Sequence, residues 1–357
     1  MFKSVIIIFS FIFLSNIFSQ ALIPIIQDDK MGYIDTTGRI VIEPKFKPDI
    51  EEFTIRLGNK NLNGFIFNRS AYFSDGLAIA KKPIKFLFIT FGYHFGYINQ
   101  TGEFEFETDN DVLEPFSSGL APMIIDDRYI GMGYDYRYGY INVKNGIVIA
   151  PIFDYAGYFS EGMALVIMND RFIYIDTSGK PVITSEFEDA FGFSEGLAAV
   201  KQNGKFGFIN KKGEIVIKPQ FGRAWKFKNG LARIYDGKYF GFIDSTGKII
   251  VSPKFDDANE FSEGLASVGI GGKYGFIGTD GNYKIIPSFD NAGNFSNGLA
   301  AVEKDYKYGF INKDNQFIIE PKYEFALGFR KGLALVWEND TVKYINRQGK
   351  DIWVFEE

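Results

Sequence analysis

Carboxylates beside glycine recur along the chain and are the first residues to consider for acid–base chemistry. Glu161, Glu195 and Glu263 each stand in a Ser-Glu-Gly phrase. Paired carboxylates can serve as general acid and base. A residue that recurs in one repeat after another is better explained as scaffold, because a single chain rarely carries several identical active sites. We therefore interpret these glutamates as turn or capping residues.

Two further patterns resemble ligand sites. The run Gly269–Lys273 is rich in glycine and ends in lysine, as a phosphate-binding loop does, but Tyr274 follows where that loop requires Ser or Thr. We interpret the run as a hairpin turn. Acidic residues that could supply oxygen ligands to calcium alternate along a second segment, at Glu103, Glu105, Glu107, Asp109 and Asp111. Their spacing differs from that of an EF-hand, and a solvated strand edge is the preferred interpretation.

The inventory of reactive side chains is narrow. The chain has no cysteine and a single histidine, His94. These counts exclude disulfides, thiolate zinc sites and cysteine nucleophiles, and they leave His94 without a second histidine for a shared metal ion. We expect no catalytic residues, no metal and no cofactor.

The amino-acid composition indicates a folded chain that is rich in strands. Of the 357 residues 46% are apolar and 17% are aromatic, and 39 are glycine. Aromatic residues favour strands and glycine favours turns. The net charge of −5 argues against nucleic acid as a partner, because phosphate binding needs a basic face.

The N-terminus has the pattern of a secretory signal peptide over residues 1–20. Lys3 precedes a mostly apolar run from Val5 to Phe18, and small or polar residues follow at Ser19, Gln20 and Ala21. An uncleaved anchor is the alternative. We expect cleavage, no transmembrane span in the mature chain, and a secreted, periplasmic or cell-surface location.

A repeat of 34 residues organises the rest of the chain, which we interpret as one domain, 21–357. The phrase Phe-Ser-Glu-Gly-Leu-Ala stands at 193–198 and 261–266, and looser copies place their glycines at Gly76, Gly119, Gly162, Gly196, Gly230, Gly264, Gly298 and Gly332. An aromatic-Gly-aromatic-Ile phrase keeps the same 34-residue step from Phe206 onward. Two markers with one period indicate tandem structural units.

Each unit reads as a three-stranded antiparallel meander. Leu197 to Val200 forms one short run, Asn203-Gly204 a hairpin turn signal, and Phe206 to Pro219 two further runs separated by a glycine turn. The linker Pro253 to Phe261 fits a helical turn and a compact loop equally well. In Ile215-Val216-Ile217 neighbouring residues are all apolar, which predicts a sheet covered on both faces.

Nine such triplets can be counted, beginning and ending in the same phase. A β-propeller usually closes by sharing one blade between its termini, and that split is not seen here. The expected fold is therefore all-β, either an open curved array of stacked meanders or a closed β-propeller.

The units resemble the WG (KWG) β repeats of bacterial proteins. The phrase that carries the resemblance stands as Lys205-Phe206-Gly207-Phe208-Ile209-Asn210, and it recurs at Lys273–Ile277 and Lys307–Asn312. Phe or Tyr replaces Trp throughout, while Ile173 and Lys343 occupy the glycine position. The resemblance implies a β-repeat fold and an interaction role, and it supplies no catalytic residues.

Departures from the repeat are where we expect a specific site. The early units carry insertions at 49–71, 81–94 and 123–137, of which the last two are hairpins nine residues longer than in later units. Aromatic and charged residues cluster in these two hairpins, and the candidate ligand-binding residues are Tyr93, His94, Asp126, Asp127, Arg128, Tyr129, Tyr134 and Tyr136. A longer strand pair that only covers one end of the stack is the simpler alternative.

These observations favour a non-enzymatic exported scaffold that binds protein partners through its loops or a concave face. A cell-surface glycan-binding module is the second hypothesis, since tyrosine rings can stack on sugars. A hydrolase that uses Asp126 and Asp127 is the third.

Overall fold

The computed structural model describes residues 21–355, except 58–59, 87–88, 109–112, 131–132 and 145. It gives the backbone alone at 53–57, 60–64, 85–86, 89–91, 125–130 and 133–135. The predicted signal segment, 1–20, lies outside the described residues. Within them the secondary structure is β-strand, apart from one 3-10 turn at Arg69–Ala71. No helix in this part of the chain is long and apolar enough to cross a membrane.

The predicted meander forms in every unit. We call the units blades and number them along the chain, and blade 5 shows their construction. Leu197–Gln202 pairs with Lys205–Asn210, which pairs in turn with Ile215–Phe221. At the first turn Asn203 and Gly204 both have positive φ, the backbone required by a two-residue hairpin turn whose twist matches that of the strands. We call the three strands the Leu-Ala strand, the aromatic-Gly strand and the proline strand.

A short fourth strand joins each later unit to the one before it. In blade 7 the pair Asp257–Ala258 bonds to the Leu-Ala strand of its own sheet, only one residue after the preceding proline strand ends at Phe255. The helical-turn prediction for Pro253 to Phe261 was therefore wrong, and the loop prediction holds only for residues 259–261, because the segment also contains the end of one strand and a two-residue strand. Phe255, Ala258 and Phe261 are buried together in one core cluster. A single residue separates the two strands before blades 4, 6, 7, 8 and 9, so these passages from blade to blade are nearly continuous β-structure.

The sheets number nine, with one additional hairpin between the first two. Blades 1 to 3 have three strands: Ile23–Gln27 (β1), Lys30–Ile34 (β2) and Ile40–Phe46 (β3); Ala78–Phe86 (β6), Ile89–Ile98 (β7) and Phe104–Thr108 (β8); Ala121–Ile130 (β9), Gly133–Asn142 (β10) and Gly146–Phe153 (β11). The additional hairpin is Ile50–Leu57 (β4) with Lys60–Phe67 (β5).

Blades 4 to 9 have four strands each, ordered in the sheet as in the chain. Blades 4 to 6 are Tyr155–Ala156 (β12), Met163–Met168 (β13), Arg171–Asp176 (β14) and Pro181–Ile183 (β15); Asp189–Ala190 (β16), Leu197–Gln202 (β17), Lys205–Asn210 (β18) and Ile215–Phe221 (β19); Arg223–Lys228 (β20), Leu231–Tyr235 (β21), Phe240–Asp244 (β22) and Ile249–Phe255 (β23). Blades 7 to 9 are Asp257–Ala258 (β24), Leu265–Ile270 (β25), Lys273–Gly278 (β26) and Tyr283–Phe289 (β27); Asn291–Ala292 (β28), Ala300–Lys304 (β29), Lys307–Ile311 (β30) and Phe317–Tyr323 (β31); Phe325–Ala326 (β32), Ala334–Glu338 (β33), Thr341–Ile345 (β34) and Asp351–Val354 (β35).

The hydrophobic core is divided into layers between neighbouring blades. In one such layer Phe242 and Val251 of blade 6 pack with Ala266 and Val268 of blade 7. Burial on both faces, as predicted, holds for the Leu-Ala and aromatic-Gly strands. It is wrong for the start of the proline strand, where the side chains of Ile215 and Val216 remain 49% and 44% exposed. That strand is an edge of its sheet, so the neighbouring blade covers only part of it.

The array closes into a nine-bladed β-propeller, which decides between the two predicted architectures. Ile25 and Tyr33 of blade 1 share a core cluster with Leu335 and Trp337 of blade 9. Across the same junction the Lys331 ammonium donates to the Phe73 carbonyl oxygen at 3.3 Å. Each described sheet contains strands from one blade only, so the ring closes through packed faces and needs no shared blade.

The insertion 49–71 covers this junction. Phe65, near the base of the β4–β5 hairpin, lies 5.1 Å from Phe355 between ring centroids, and Phe67 lies 6.1 Å from the same ring. Phe355 also contacts Tyr344 of blade 9 at 5.4 Å. The insertion thus ties the beginning of the described chain to its end.

Candidate functional site

The recurring Ser-Glu-Gly glutamates link one blade to the next. The Glu195 carboxylate accepts the N–H of Gly230 at 2.8 Å, and Glu161 and Glu263 accept the N–H of the equivalent glycines, Gly196 and Gly298, at 3.0 Å. Glu195 itself has a φ of 53°, as a two-residue turn requires. These carboxylates are engaged in scaffold hydrogen bonds, in agreement with the turn interpretation.

A second set of recurring carboxylates lies at the opposite end of the blades, where the Leu-Ala and aromatic-Gly strands are joined. We call this the hairpin end. The Asp290 carboxylate accepts the N–H of Asp305 at 2.9 Å and a hydrogen bond from Lys273 at 2.5 Å. The bond from Lys273, reinforced by that N–H, holds the pKa of Asp290 below its usual value.

The same arrangement recurs at other junctions between blades. The Glu324 carboxylate accepts Lys307 at 2.8 Å and the Asn339 N–H at 3.0 Å. Asp154 accepts Arg137 and, at 2.7 Å, the Asn169 N–H. We call the combination of a basic side chain and a turn N–H around one carboxylate the carboxylate cradle.

The two patterns that resemble ligand sites have structural roles where they are described. Gly271 and Gly272 form the turn between β25 and β26, and Lys273 belongs to a carboxylate cradle, so this run is a hairpin turn. Glu105 and Glu107 are exposed on β8 and Glu103 is exposed immediately before it, while Asp109 and Asp111 lie outside the described residues. The described side chains include no group of three or more that could hold a metal ion.

The two long hairpins rise from neighbouring blades at the hairpin end. In blade 2 the backbone of Tyr93 pairs with Pro83 and that of His94 with Lys82, and the ladder continues to Phe86. In blade 3 the pairing runs out to Ile130 and Gly133. The additional β4–β5 hairpin starts beside them, because the Lys47 N–H bonds to the Lys81 carbonyl oxygen at 2.8 Å.

Three of the candidate ligand-binding side chains are described. Tyr93 is half-buried beneath the Lys47 ammonium, which lies 4.5 Å from the ring centroid, and His94 is half-buried as well. Tyr136 is 51% exposed. The side chains of the remaining candidates lie outside the described ones, although their backbones are paired in β9 and β10: Asp126, Asp127, Arg128, Tyr129 and Tyr134.

A polar network that was not predicted joins three chain segments, which link blade 1 to blade 2, blade 2 to blade 3 and blade 3 to blade 4. The Tyr97 hydroxyl donates to the Glu114 carbonyl oxygen at 2.8 Å, and the Tyr158 hydroxyl donates to the Glu114 carboxylate. The Arg69 guanidinium lies over the Tyr158 ring at 4.8 Å. Burial, followed by the Glu114 hydrogen bond, raises the pKa of Tyr158 well above its usual value. The sequence signal was available, since Lys226 and Gly192 stand at the position of Tyr158 in other units.

Comparison with solved structures finds chains that are similar at low identity. Apo AztD from Citrobacter koseri is 9% identical with a TM-score of 0.41, and the match covers 94% of both chains. Hsv2p from Kluyveromyces lactis is 10% identical with a TM-score of 0.40, over 67% of this chain and 93% of that one. The extracellular domain of the putative hybrid two-component system BT3049 from B. thetaiotaomicron is 13% identical, with a TM-score of 0.33, over 92% of this chain and 56% of that one. None supports an inference about a ligand of this protein.

Comparison with curated proteins gives no match. A family model described as "WG containing repeat" matches eight segments, at residues 31–47, 95–129, 138–172, 174–206, 206–239, 240–274, 274–308 and 308–341. These segments cover more than half of the chain and coincide with the aromatic-Gly units of the propeller. The resemblance in the repeats is thereby confirmed, and the chain belongs to the WG-repeat family.

Proposed function

We propose that this protein is a non-enzymatic binding scaffold that recognises a protein partner through the long hairpins of blades 2 and 3. The observation that carries the proposal is the departure of these two hairpins from an otherwise regular ring. They stand on adjacent blades and at the same end, so one partner can contact both.

The described side chains in and near the two long hairpins support recognition of a protein. Tyr136 exposes half of its side chain on β10, and aromatic residues are enriched in the buried centres of protein interfaces. The Glu114 network ties together the links between these blades, and Leu113, next to Glu114, pairs with Met123 in the first strand of blade 3. A preorganised surface loses less conformational entropy on binding.

The non-enzymatic part of the proposal rests on the use of the recurring carboxylates. Those in the Ser-Glu-Gly turns and in the carboxylate cradles accept hydrogen bonds from the scaffold. A carboxylate that also acted as general base would have to leave these donors.

The test is an affinity capture from the envelope fraction of the source organism. One bait is the mature protein. The other has Pro83–Tyr93 and Asp126–Tyr136 each replaced by Asn-Gly, the turn found at Asn203-Gly204 in blade 5. Since the flanking pairs Lys82–His94 and Ile124–Tyr138 occupy the register of blade 5, the shortened protein should keep its fold, which circular dichroism would verify.

We expect one protein to be recovered by the mature bait and lost with the shortened bait. Tyr136→Ala should weaken the recovery, and Tyr306→Ala is the matched control, because Tyr306 is an exposed tyrosine in the turn of blade 8. Equal recovery by both baits would place the interaction elsewhere on the ring. Capture of glycan by the mature bait alone would favour the glycan-binding hypothesis.

We also propose export with cleavage near residue 20, on the strength of the N-terminal pattern. Mass spectrometry of the protein from the envelope fraction should find a mature N-terminus between Ser19 and Leu22. An intact N-terminus at Met1 in that fraction would favour the uncleaved anchor.

A further inference from the structure

One of the six junctions between blade 3 and blade 9 lacks the carboxylate that the other five share. From blade 3 to blade 9 the residue that precedes the short strand is acidic at Asp154, Glu188, Asp256, Asp290 and Glu324. All five carboxylates accept a turn N–H at 2.7 to 3.0 Å. Between blades 5 and 6 the equivalent residue is Gly222.

Residues equivalent to both donors of the complete cradles are present at this junction, in a turn, 236–239, that is two residues longer than those of the complete cradles. A Cβ atom at residue 222 would lie 3.3 Å from the backbone nitrogen of Gly237, the residue equivalent to the N–H donors at the other junctions. Among the described residues no acceptor pairs with that N–H. Lys205 takes the place of Lys273 and Lys307, which donate to the carboxylates of their own cradles. Lys205 is exposed and has no ion-pair partner among the described side chains.

The segment from Lys201 to Lys238, which contains Gly222 and Lys205, is strongly basic, although the whole chain is acidic. Only two residues between Lys201 and Lys238 are acidic, Glu214 and Asp236, against ten lysines and arginines. Glu161 and Glu260 of neighbouring blades pair with Lys211 and Lys226. The basic residues without an acidic partner in the described structure are Lys201, Lys205, Lys212, Lys218, Arg223 and Lys228.

A surface pocket adjoins the cradle on blade 5. It has a volume of about 490 Å³, and its lining includes Lys205, Lys218 and Asn203. The excess positive charge raises the local concentration of anions, while the pocket gives a side chain room to approach.

We propose that the Gly222 cradle binds an acidic side chain, Asp or Glu, of a polypeptide partner. The three complete cradles show that a basic side chain and a turn N–H in this geometry hold a carboxylate on its two oxygens. Here the carboxylate would come from another chain. The site lies on a different sector of the ring from the long hairpins, so it does not depend on the function proposed for them.

The test measures fluorescence anisotropy of a labelled peptide of alternating Glu and Ser, at low salt, with its Gln/Ser analogue as the uncharged probe. Three variants each lower the net charge by one. Gly222→Asp supplies the missing carboxylate from within the chain, Lys205→Gln removes the basic partner, and Lys212→Gln is the control. Lys212 is exposed in the turn between β18 and β19, at the opposite end of the same blade.

We expect the acidic peptide to bind the parent protein and the uncharged analogue not to bind. Gly222→Asp and Lys205→Gln should weaken binding about tenfold or more, as expected for the loss of a charge-assisted hydrogen bond, and Lys212→Gln should leave it within about twofold. Gly222→Asn places a side chain of the same size without charge, and it should retain more binding than Gly222→Asp.

Three results would overturn the proposal. They are failure of the parent protein to bind the acidic peptide, full binding by Gly222→Asp, and equal loss in the Lys212 control. A single-stranded oligonucleotide of the same charge is the competing probe. If it bound more tightly than the peptide and responded to the same variants, the site would be assigned to phosphate. The variant with shortened hairpins should bind the acidic peptide as the parent does, which separates this site from the hairpin site.

Discussion

Substitution of Gly241 by alanine should destabilise the propeller through a steric conflict with the backbone. A Cβ atom at this position would lie 2.6 Å from the Val251 carbonyl oxygen and 2.7 Å from the Pro253 nitrogen. Real Cβ contacts are longer than 3.0 Å, so the proline strand must move by several tenths of an ångström. Overpacking of this kind costs about 1–3 kcal/mol, and we expect about 2 kcal/mol because both opposing atoms belong to the backbone.

Urea unfolding followed by circular dichroism would measure this loss against a matched control. Gly192→Ala is that control, since a Cβ there would have no atom within 4 Å and Gly192 does not adopt a positive φ. Gly192→Ala should change the free energy of unfolding by less than about 1 kcal/mol, or raise it slightly by restricting the unfolded chain. Equal unfolding midpoints for the two variants would refute the proposed reason for glycine in the aromatic-Gly phrase.

Three other predictions test single contacts. Tyr140→Phe removes the hydroxyl that donates to the Gly157 carbonyl oxygen at 2.7 Å and should lower the free energy of unfolding by about 1 kcal/mol; an unchanged urea midpoint would show that this bond contributes nothing. Arg330→Ala removes the guanidinium that lies 3.4 Å from the Tyr72 ring centroid at the closing junction, and we expect a loss of about 1 kcal/mol, a prediction that fails if the melting temperature does not fall. Burial, together with the nearby Glu303 carboxylate, raises the pKa of Tyr308 from 10.0 to about 12, so its contribution to stability is complete below pH 10 and is lost as the pH rises to about 12. Absorbance at 295 nm and circular dichroism recorded together should then show stability that falls across this pH range, whereas constant stability from pH 10 to 12 would contradict the shift.

The sequence predicted the units of the fold well because the information is local. Short strand-forming runs, hairpin turns and the 34-residue step specify a meander through contacts between residues close in the chain. The same pattern misassigned the start of the proline strand, since apolar residues such as Ile215 stand at an edge that the neighbouring blade does not cover. Pro219 and Pro253 lie inside their strands, at the shift in register that carries the backbone over the glycine.

The exceptions to the aromatic-Gly phrase have the same explanation. Ile173 replaces glycine in blade 4, where the last strand is only Pro181–Ile183. Lys343 replaces it in blade 9, where its backbone partner is Val354 and no proline follows. In neither blade does a proline strand arch over the position, so a side chain fits there.

The vacant carboxylate cradle could have been found in the sequence but was not predicted. The signal is one glycine in a series of acidic residues spaced by 34, at Gly222. Its meaning depends on contacts between blades, such as those of Lys273 with Asp290 and Lys307 with Glu324, and the spacing alone does not show these contacts. The net charge of the whole chain also gave no indication of the basic segment, because it sums basic and acidic segments into one number.

The sequence by itself determined the three main strands of each unit, the turns between them and the number of units, because each is specified by neighbours in the chain. Closure of the ring was decided only by the tertiary structure. It depends on the angle between successive blades, which is set by how side chains fill each core layer and accumulates over nine units. The final contact then joins residues as distant as Phe73 and Lys331, and no local pattern predicts that they meet.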